Sequence, residues 1–178
     1  MIYEPAEDSF LLQEQVRKFS KNKKVLDIGT GSGIQAKTAL ESGASSVTAT
    51  DINKQALSKI KVKKINLIHS DLFAKVKHKF DIIIFNPPYL PEDSREDTES
   101  SIITSGGVRG DELTVKFLSQ AKEHLNKNGI ILLVVSSLTP QDQINKILKE
   151  NRLSKEVLSQ KKFFMEIIEV WKITQFKQ

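Results

Sequence analysis

The chain has 178 residues, no cysteine and a formal net charge of +5. This length suffices for one domain that buries roughly 70% of its unfolded-chain surface, and the missing cysteine excludes disulfide frameworks, thiolate nucleophiles and cysteine-ligated metal sites within the sequence. Because the longest apolar run, Ile130 to Val135, is too short to span a bilayer and no signal sequence opens the chain, we expect a single cytoplasmic domain over residues 1–178 without membrane contact.

The positive charge comes mainly from lysines in short groups along the sequence: Lys18 to Lys24, Lys59 to Lys64, Lys75 to Lys79 and the C-terminal tail. Such groups can form a nucleic-acid-binding surface. They can also be the solvated faces of a lysine-rich protein, and their scatter along the chain favours this second interpretation.

In chain order, Pro5 followed by two acids is typical of a helix start, and apolar residues at helical spacing then predict a first helix over Pro5 to Phe19. Short apolar runs predict five buried strands: Val25 to Ile28, Val47 to Ile52, Ile65 to Ile68, Phe80 to Phe85 and Ile130 to Val135. Helical patterning lies between them, at Ile34 to Glu41, Lys54 to Ile60, Asp111 to Leu125 and Gln141 to Glu150. This alternation predicts a parallel sheet with helices on both faces.

The C-terminal part departs from this alternation. Val157 and Leu158 are separated from the next apolar run, Phe163 to Ile173, by the polar segment Ser159 to Lys162. That segment leaves no room for a crossover helix, so the two apolar segments must pair antiparallel. The stretch from Leu90 to Gly110 lacks periodicity, and loops of this length are usually functional or disordered.

A glycine-rich segment joins the first predicted strand to the helix that follows. Gly29, Gly31 and Gly33 come after Asp27 with the spacing G-x-G-x-G, whereas the dinucleotide fingerprint has the spacing G-x-G-x-x-G. A carboxylate at Asp27 would repel a pyrophosphate and attract an ammonium group. The segment therefore favours a ligand that has an amino-acid end.

Two further acids stand at the ends of the second and third predicted strands. Asp51 is placed to accept hydrogen bonds from both hydroxyls of a ribose, and Asp71 can accept one from the exocyclic amine of adenine. Each acid alone is also typical of an ordinary turn. Three acids at consecutive strand ends beside a glycine loop favour a site for S-adenosylmethionine, which joins methionine to adenosine.

The fourth predicted strand ends in the motif Asn86-Pro87-Pro88-Tyr89, where open α/β sheets bind ligands. The two prolines fix φ angles and lack N–H groups, so backbone carbonyls can point stiffly at a ligand. The Asn86 side-chain oxygen and such a carbonyl can accept both hydrogens of an –NH₂ group, which orients a delocalised nitrogen for methyl transfer. Tyr89 can stack on the planar acceptor, or it can simply anchor the loop. The motif does not choose between a glutamine amide and adenine.

Four segments carry a resemblance to a known family: Tyr3-Glu4-Pro5-Ala6-Glu7-Asp8-Ser9, Asp27-Ile28-Gly29-Thr30-Gly31-Ser32-Gly33, Asn86-Pro87-Pro88-Tyr89 and Ser105-Gly106-Gly107-Val108-Arg109-Gly110. Over nearly its whole length the chain resembles the HemK/PrmC family of protein-(glutamine N5) methyltransferases, in the short archaeal and eukaryotic release-factor form. The resemblance implies a class I Rossmann-like methyltransferase fold, with a seven-stranded, mostly parallel sheet of order 3-2-1-4-5-7-6, an antiparallel seventh strand and helices on both faces.

The same resemblance implies the site residues. The expected contacts to S-adenosylmethionine are Ser9, Asp27, Gly29, Thr30, Gly31, Gly33, Asp51, Ile52, Asp71, Leu72 and Asn86. The expected catalytic residues are Asn86, Pro87, Pro88 and Tyr89, and the expected substrate contacts are Glu7, Asn86, Pro87 and Tyr89. Standing alone, the segment Pro5 to Ser9 is equally typical of a capped helix start. We expect no metal site, because the three histidines, His69, His78 and His124, lack ligand spacing.

The resemblance further implies a substrate and a partner. The family methylates the glutamine of a Gly-Gly-Gln motif in a class 1 peptide-chain release factor, giving N5-methylglutamine. Bacterial members carry an additional N-terminal helical domain for docking, which we do not find in this sequence. The archaeal and eukaryotic form works with a small zinc-binding activator subunit, so we expect a heterodimer.

Two other functions are compatible with the motifs. An N6-adenine methyltransferase acting on DNA or RNA would use the same motif on a flipped base, and the isoelectric point near 9.3 favours it. The acidic segment Glu92 to Glu99 argues against it, because acids repel phosphates. A protein that binds the cofactor without chemistry is the third possibility, but the sequence retains every candidate group around the site. We therefore expect glutamine N-methylation, with N6-adenine methylation as the alternative.

Overall fold

The computed structural model describes residues 4–91 and 105–176. The strands are β1 (Lys24–Ile28), β2 (Ser46–Asp51), β3 (Ile65–His69), β4 (Phe80–Phe85), β5 (Leu125–Ser136), β6 (Leu153–Lys162) and β7 (Ile167–Gln175). The α-helices are α1 (Glu7–Phe19), α2 (Ile34–Glu41), α3 (Lys54–Lys59), α4 (Glu112–Ala121) and α5 (Asp142–Glu150), and a 3₁₀ turn, Lys122–His124, follows α4. In this part of the chain, no helix is long and apolar enough to cross a membrane.

The strands form one sheet of order β3-β2-β1-β4-β5-β7-β6. Strands β1 to β5 pair in parallel, and β7 is antiparallel to both of its neighbours, β5 and β6. The expected order and the antiparallel seventh strand are thus confirmed. Because the parallel strands all point the same way, the segments that follow them meet at one end of the sheet, which we call the carboxyl end.

Successive residues of the central strands enter two apolar clusters, one on each face of the sheet. In β4, Ile82 and Ile84 pack in the cluster that includes residues of α1 and α2, whereas Ile83 and Phe85 pack in the cluster of α4 and α5. Burial of each such side chain contributes about 1.5–3 kcal/mol. Strand β4 is therefore a rigid support for the motif that follows it, and its sequence is continuously apolar because both of its faces are covered.

Several predicted boundaries are wrong, and among them the fifth strand begins at Leu125 instead of Ile130. The segment Ser159 to Lys162 is not a connection but the end of β6, and the chain turns at Phe163–Glu166 instead. Strand β6 is the edge strand and is mostly exposed, so polar residues do not interrupt it. The helix predicted over Asp111 to Leu125 ends at Ala121, because Leu125 is already extended and begins β5. Within the predicted loop from Leu90 to Gly110, residues 92–104, which include the acidic segment, lie outside the described residues, as does Tyr3.

Candidate functional site

A cavity of about 440 Å³ opens at the carboxyl end of the sheet, lined by the segments after β1, β2, β3 and β4 and by the start of α1. Its lining includes the predicted residues Ser9, Asp27, Gly29, Thr30, Gly31, Asp51, Ile52, Asp71, Leu72, Asn86, Pro87, Pro88 and Tyr89. The lining does not include Gly33, which precedes α2, or Glu7, whose carboxylate pairs with Lys161. Residues far apart in the sequence are thus brought to one place.

The glycine loop between β1 and α2 has a backbone that side chains disfavour. Gly29, Gly31 and Gly33 have φ angles of 62°, 52° and 78°, all in the left-handed region that glycine adopts without cost. A Cβ atom on Gly33 would also lie 2.9 Å from the Cδ1 atom of Ile60. The loop therefore needs its glycines for conformation, and a Cβ atom at Gly33 would also require the end of the Ile60 side chain to shift.

Asp27 is buried below this loop, with 2% of its surface exposed. Its Oδ2 atom accepts hydrogen bonds from Thr30 Oγ1 at 2.6 Å and from the Ala36 N–H at 3.1 Å. Burial raises the pKa of Asp27 from 3.8 to about 7, although these two hydrogen bonds oppose the shift, and the charge of Asp51 adds to it. A cationic group in the cavity would stabilise the anionic form of this carboxyl.

Asp51, at the end of β2, connects the glycine loop to this neighbouring strand by a hydrogen bond. Its Oδ2 atom accepts from the Gly31 N–H at 2.8 Å, and its Oδ1 atom accepts from the Asn53 N–H at 2.8 Å. Each carboxylate oxygen keeps a further lone pair for a ligand hydroxyl. The next side chain, Ile52, is 62% exposed and offers the cavity an apolar surface.

Asp71 and Leu72 form the wall that follows β3. One carboxylate oxygen of Asp71, which is half exposed, accepts from Lys116 Nζ at 2.9 Å. Leu72 has a φ of 42°, and Ser70 Oγ donates to its carbonyl at 3.0 Å. A positive φ is uncommon for a residue with a bulky side chain, so the backbone here is held by its surroundings.

Asn86 is fixed by the first turn of α1. Its Nδ2 group donates to Asp8 Oδ2 at 2.9 Å and lies 3.5 Å from Ser9 Oγ. A carboxylate can only accept, so this contact determines which end of the amide faces it. The Asn86 Oδ1 atom is buried and has no hydrogen-bond partner among the described residues. An acceptor that is buried unpaired costs about 1–3 kcal/mol, so its place beside a cavity indicates a donor supplied by a ligand.

The sequence profile of the methyltransferase small domain family matches residues 7–166, most of the chain. A protein of Methanocaldococcus jannaschii named as a protein N5-glutamine methyltransferase is 35% identical, in an alignment covering 97% of this chain and 92% of the relative. The chain belongs to the methyltransferase small domain family, among the HemK/PrmC proteins.

Two further comparisons relate this methyltransferase to solved and curated proteins. The structure of the E. cuniculi Mtq2-Trm112 complex, named as responsible for methylating the eRF1 translation termination factor, superimposes with a TM-score of 0.80 and 27% identity over 98% of this chain and 99% of that one. The release factor glutamine methyltransferase of Lactococcus lactis is 35% identical over 63% of this chain and 47% of its own length. The chain thus spans about half the length of that bacterial relative.

Sequence analysis of this methyltransferase missed Asp8. The residue is buried on the first turn of α1 and lines the cavity, but an acid in a first helical turn is common because it complements the helix dipole. Its contact with Asn86 joins positions 78 residues apart, so no local pattern reveals it. Gln35 was also missed: it lines the cavity, and its Nε2 group donates to the Ser9 carbonyl at 2.8 Å.

The segment Ser105–Gly110 packs against the backbone of the Asn-Pro-Pro-Tyr motif. The Gly106 N–H donates to the Leu90 carbonyl at 2.9 Å. A Cβ atom on Gly106 would lie 2.7 Å from the Pro88 carbonyl oxygen and 2.3 Å from that of Gly110, so only glycine fits there. The fourth segment of the family resemblance is therefore part of the architecture of the site.

Tyr89 closes the motif in a half-buried position. Its carbonyl accepts from Thr139 Oγ1 at 3.0 Å, which links the motif to the loop after β5. Burial raises the pKa of its hydroxyl, and the negative charges of Asp8 and Glu166 raise it further. The phenol therefore stays neutral, and its ring is available to a planar acceptor.

Proposed function

We propose that this methyltransferase binds S-adenosylmethionine in the cavity and methylates the side-chain nitrogen of a glutamine in a class 1 peptide-chain release factor. The observation that carries the proposal is the Asn86 Oδ1 atom, which is buried beside the cavity and has no donor in the part of the chain that the structure describes. The –NH₂ group of a substrate amide supplies such a donor.

The cavity lining fits the parts of the cofactor. Anionic Asp27 suits the ammonium group of the methionine end, the free lone pairs of Asp51 suit the ribose hydroxyls, and exposed Ile52 suits the adenine ring. Asp71 keeps an oxygen that Lys116 does not occupy, for the adenine amine. When bound, the cofactor would supply an electrophilic methyl group, and its sulfur would be left as the neutral thioether of S-adenosylhomocysteine.

Asn86 has two roles in the proposed reaction. By accepting one N–H of the acceptor amide, its Oδ1 atom fixes the plane of that amide in the cavity. As the acceptor nitrogen bonds to carbon it gains positive charge and its N–H becomes a stronger donor, so this hydrogen bond strengthens in the transition state. A backbone carbonyl of the rigid Pro87-Pro88 segment accepts the second N–H. The methylated nitrogen is then cationic and strongly acidic, and it would release one proton to water, so no strong base is required.

The substrate class is inferred from the relatives together with the site. The E. cuniculi and L. lactis proteins act, by name, on a termination factor and on a release factor. An acceptor at a Gly-Gly-Gln motif suits the site, because two glycines add no side-chain bulk beside the glutamine that enters the cavity. We also propose that this protein works as a heterodimer with a small zinc-binding activator, as the E. cuniculi relative is found with Trm112. The present sequence has no cysteine, so any thiolate ligands of that zinc would belong to the activator.

The decisive experiment is a methyl-transfer assay with radiolabelled S-adenosylmethionine, with and without the activator. It offers a class 1 release factor, the same factor with its Gly-Gly-Gln glutamine replaced by alanine, and separately nucleic acid. We expect label on the unaltered release factor alone. Asn86→Ala serves as the matched inactive enzyme, and it should bind cofactor nearly normally, because Asn86 is only one of many cofactor contacts, while turnover falls by roughly 10²–10³-fold.

Label on nucleic acid alone would overturn the substrate and establish the N6-adenine alternative, leaving the methyl-transfer chemistry intact. Label on the alanine-substituted factor would move the acceptor to another residue. For the heterodimer, size-exclusion chromatography that shows a lone monomer with full activity would contradict the proposed activator.

A further inference from the structure

The turn between β6 and β7 exposes two adjacent apolar side chains. We call residues Phe163–Glu166 the hairpin tip. Phe164 is 98% exposed and Met165 is 78% exposed, the two highest values among the exposed large apolar residues of the described chain. Single exposed apolar residues are common on monomers, whereas here an aromatic and a methionine side chain are exposed side by side at one turn.

The hairpin tip is anchored at its base. The Phe163 N–H donates to the Glu166 carbonyl at 2.7 Å, and the Glu166 carboxylate accepts from Ser136 Oγ at 2.6 Å. The Ser137 N–H donates to the Ile167 carbonyl at 2.8 Å. A partner that binds the tip therefore orders only two side chains and not a loose loop, which lowers the entropic cost of association.

The hairpin tip lies beside the acceptor site. Strand β7 is antiparallel to β5, so its first residues pair with Ser136 at the carboxyl end of the sheet. Three residues later Thr139 holds the Tyr89 carbonyl, so one short loop joins the tip to the Asn-Pro-Pro-Tyr motif. On the other strand of the hairpin, Lys161 pairs with Glu7 at the start of α1, the helix turn that also holds Asn86.

We propose that Phe164 and Met165 form the docking surface for the folded body of the protein substrate, outside the loop that carries the glutamine; this inference rests on the proposed function. An acceptor glutamine flanked by glycines offers the enzyme few side chains, so affinity has to come from elsewhere on the substrate. Aromatic and methionine side chains are enriched in protein interfaces. The tip contains one carboxylate and no cation, so its four residues do not suit phosphates.

The test compares the wild-type enzyme with the double variant Phe164→Ser, Met165→Ser on two substrates. One is the intact release factor, and the other is a peptide that contains only the acceptor glutamine and its immediate neighbours. The variant should lose at least tenfold in kcat/KM for the intact factor, through KM, and keep its kcat at saturation. Its kcat/KM for the peptide should stay within about twofold of the wild type. The matched control is Phe176→Ser, because Phe176 is also an exposed phenyl group, at the opposite end of β7.

Each outcome separates this inference from the function on which it rests. An equal kcat/KM of variant and wild type on the intact factor would overturn the docking surface while the wild-type label upholds the proposed function. If the wild type does not label the release factor, the proposed function fails and the docking surface fails with it. If the variant instead loses a copurifying small subunit, the hairpin tip binds that subunit and the inference is wrong. The inference is also wrong if the variant loses only an activity on nucleic acid, because the hairpin tip then binds nucleic acid.

Discussion

Asp8 has no contact with the acceptor in the proposed mechanism, but its hydrogen bond to Asn86 predicts an effect on catalysis. Replacing Asp8 with alanine removes the charge-assisted hydrogen bond that orients the Asn86 amide. Such bonds contribute about 1.5–3 kcal/mol, so we expect kcat to fall roughly ten- to a hundredfold while the dissociation constant of the cofactor changes little. Asp8→Asn should recover part of kcat, because its side-chain oxygen can accept the same N–H. Single-turnover kinetics and calorimetry measure the two quantities; a loss confined to cofactor affinity would make Asp8 a cofactor ligand instead.

Asp27 predicts a pH dependence of cofactor binding. With its pKa raised to about 7 by burial, the carboxyl is neutral in more acidic solution and cannot attract an ammonium group. Cofactor affinity should therefore rise between pH about 5.5 and 7, and level off before the α-amino group of the ligand loses its proton at about 7.7–8.0. Calorimetry in two buffers of different ionisation heat should show proton release on binding below pH 7. Asp27→Asn should flatten the profile, and a profile that persists in this variant would assign the titration to another group.

The raised pKa of Asp27 also makes the free energy of unfolding depend on pH. The pKa of Asp27 is higher in the folded protein than its ordinary value of 3.8, so between pH about 4 and 7 the folded state binds more protons than the unfolded state. The contribution of this group to the free energy of unfolding is therefore present at low pH and is lost as the pH rises through that window. A bound cofactor that pairs with the anion would offset this loss.

At the scale of elements, the segment Ser105–Gly110 and the Asn-Pro-Pro-Tyr motif act as one unit. Gly106→Ala places a methyl group against two backbone carbonyls, and neither can move without shifting the motif. We expect a lower Tm together with at least a tenfold loss of kcat/KM. Gly43→Ala is the matched control: Gly43 has a φ of 83°, and a Cβ atom there would make only an ordinary contact, at 3.9 Å from Lys21 Cγ, so that variant should lose about 1–2 kcal/mol of stability and keep its activity. Full activity in Gly106→Ala would show that the segment Ser105–Gly110 and the Asn-Pro-Pro-Tyr motif do not act as one unit.

The elements also show what a sequence can reveal. The buried strands and the three acids at strand ends were predictable, because apolar runs and polar strand ends are local patterns. The boundary of β6 was not, because an edge strand with mostly exposed side chains lacks the apolar signal. The place of Asp8 in the site was also not predictable, because a contact between α1 and the end of β4 depends on the packing of the whole sheet.

At the scale of the whole molecule, the parallel sheet turns separated motifs into one site. Strands β1 to β4 end at the same end of the sheet, and the first turn of α1 reaches it, so groups that lie between positions 8 and 113 of the sequence surround one cavity. The cavity is thus a property of the fold, and a ligand that fills it should stabilise the chain as a whole. This coupling of binding to folding is the basis of the last prediction.

S-adenosylmethionine at a hundred times its dissociation constant should add about 2.7 kcal/mol to the free energy of unfolding, since it binds only the folded state. For a chain of this size, that corresponds to a Tm increase of roughly 5–10 °C.

In Asp51→Ala the increase should largely disappear at the same cofactor concentration, because the ribose hydroxyls lose their acceptor. The Tm without ligand should also fall, because the Gly31 and Asn53 N–H groups lose theirs, so the ligand-induced increment is the quantity to compare. Glu150→Ala, at an exposed position at the end of α5, should keep the full increment. An undiminished increment in Asp51→Ala would remove this carboxylate from the cofactor site, and no increment in the wild type would show that the cavity binds a different ligand.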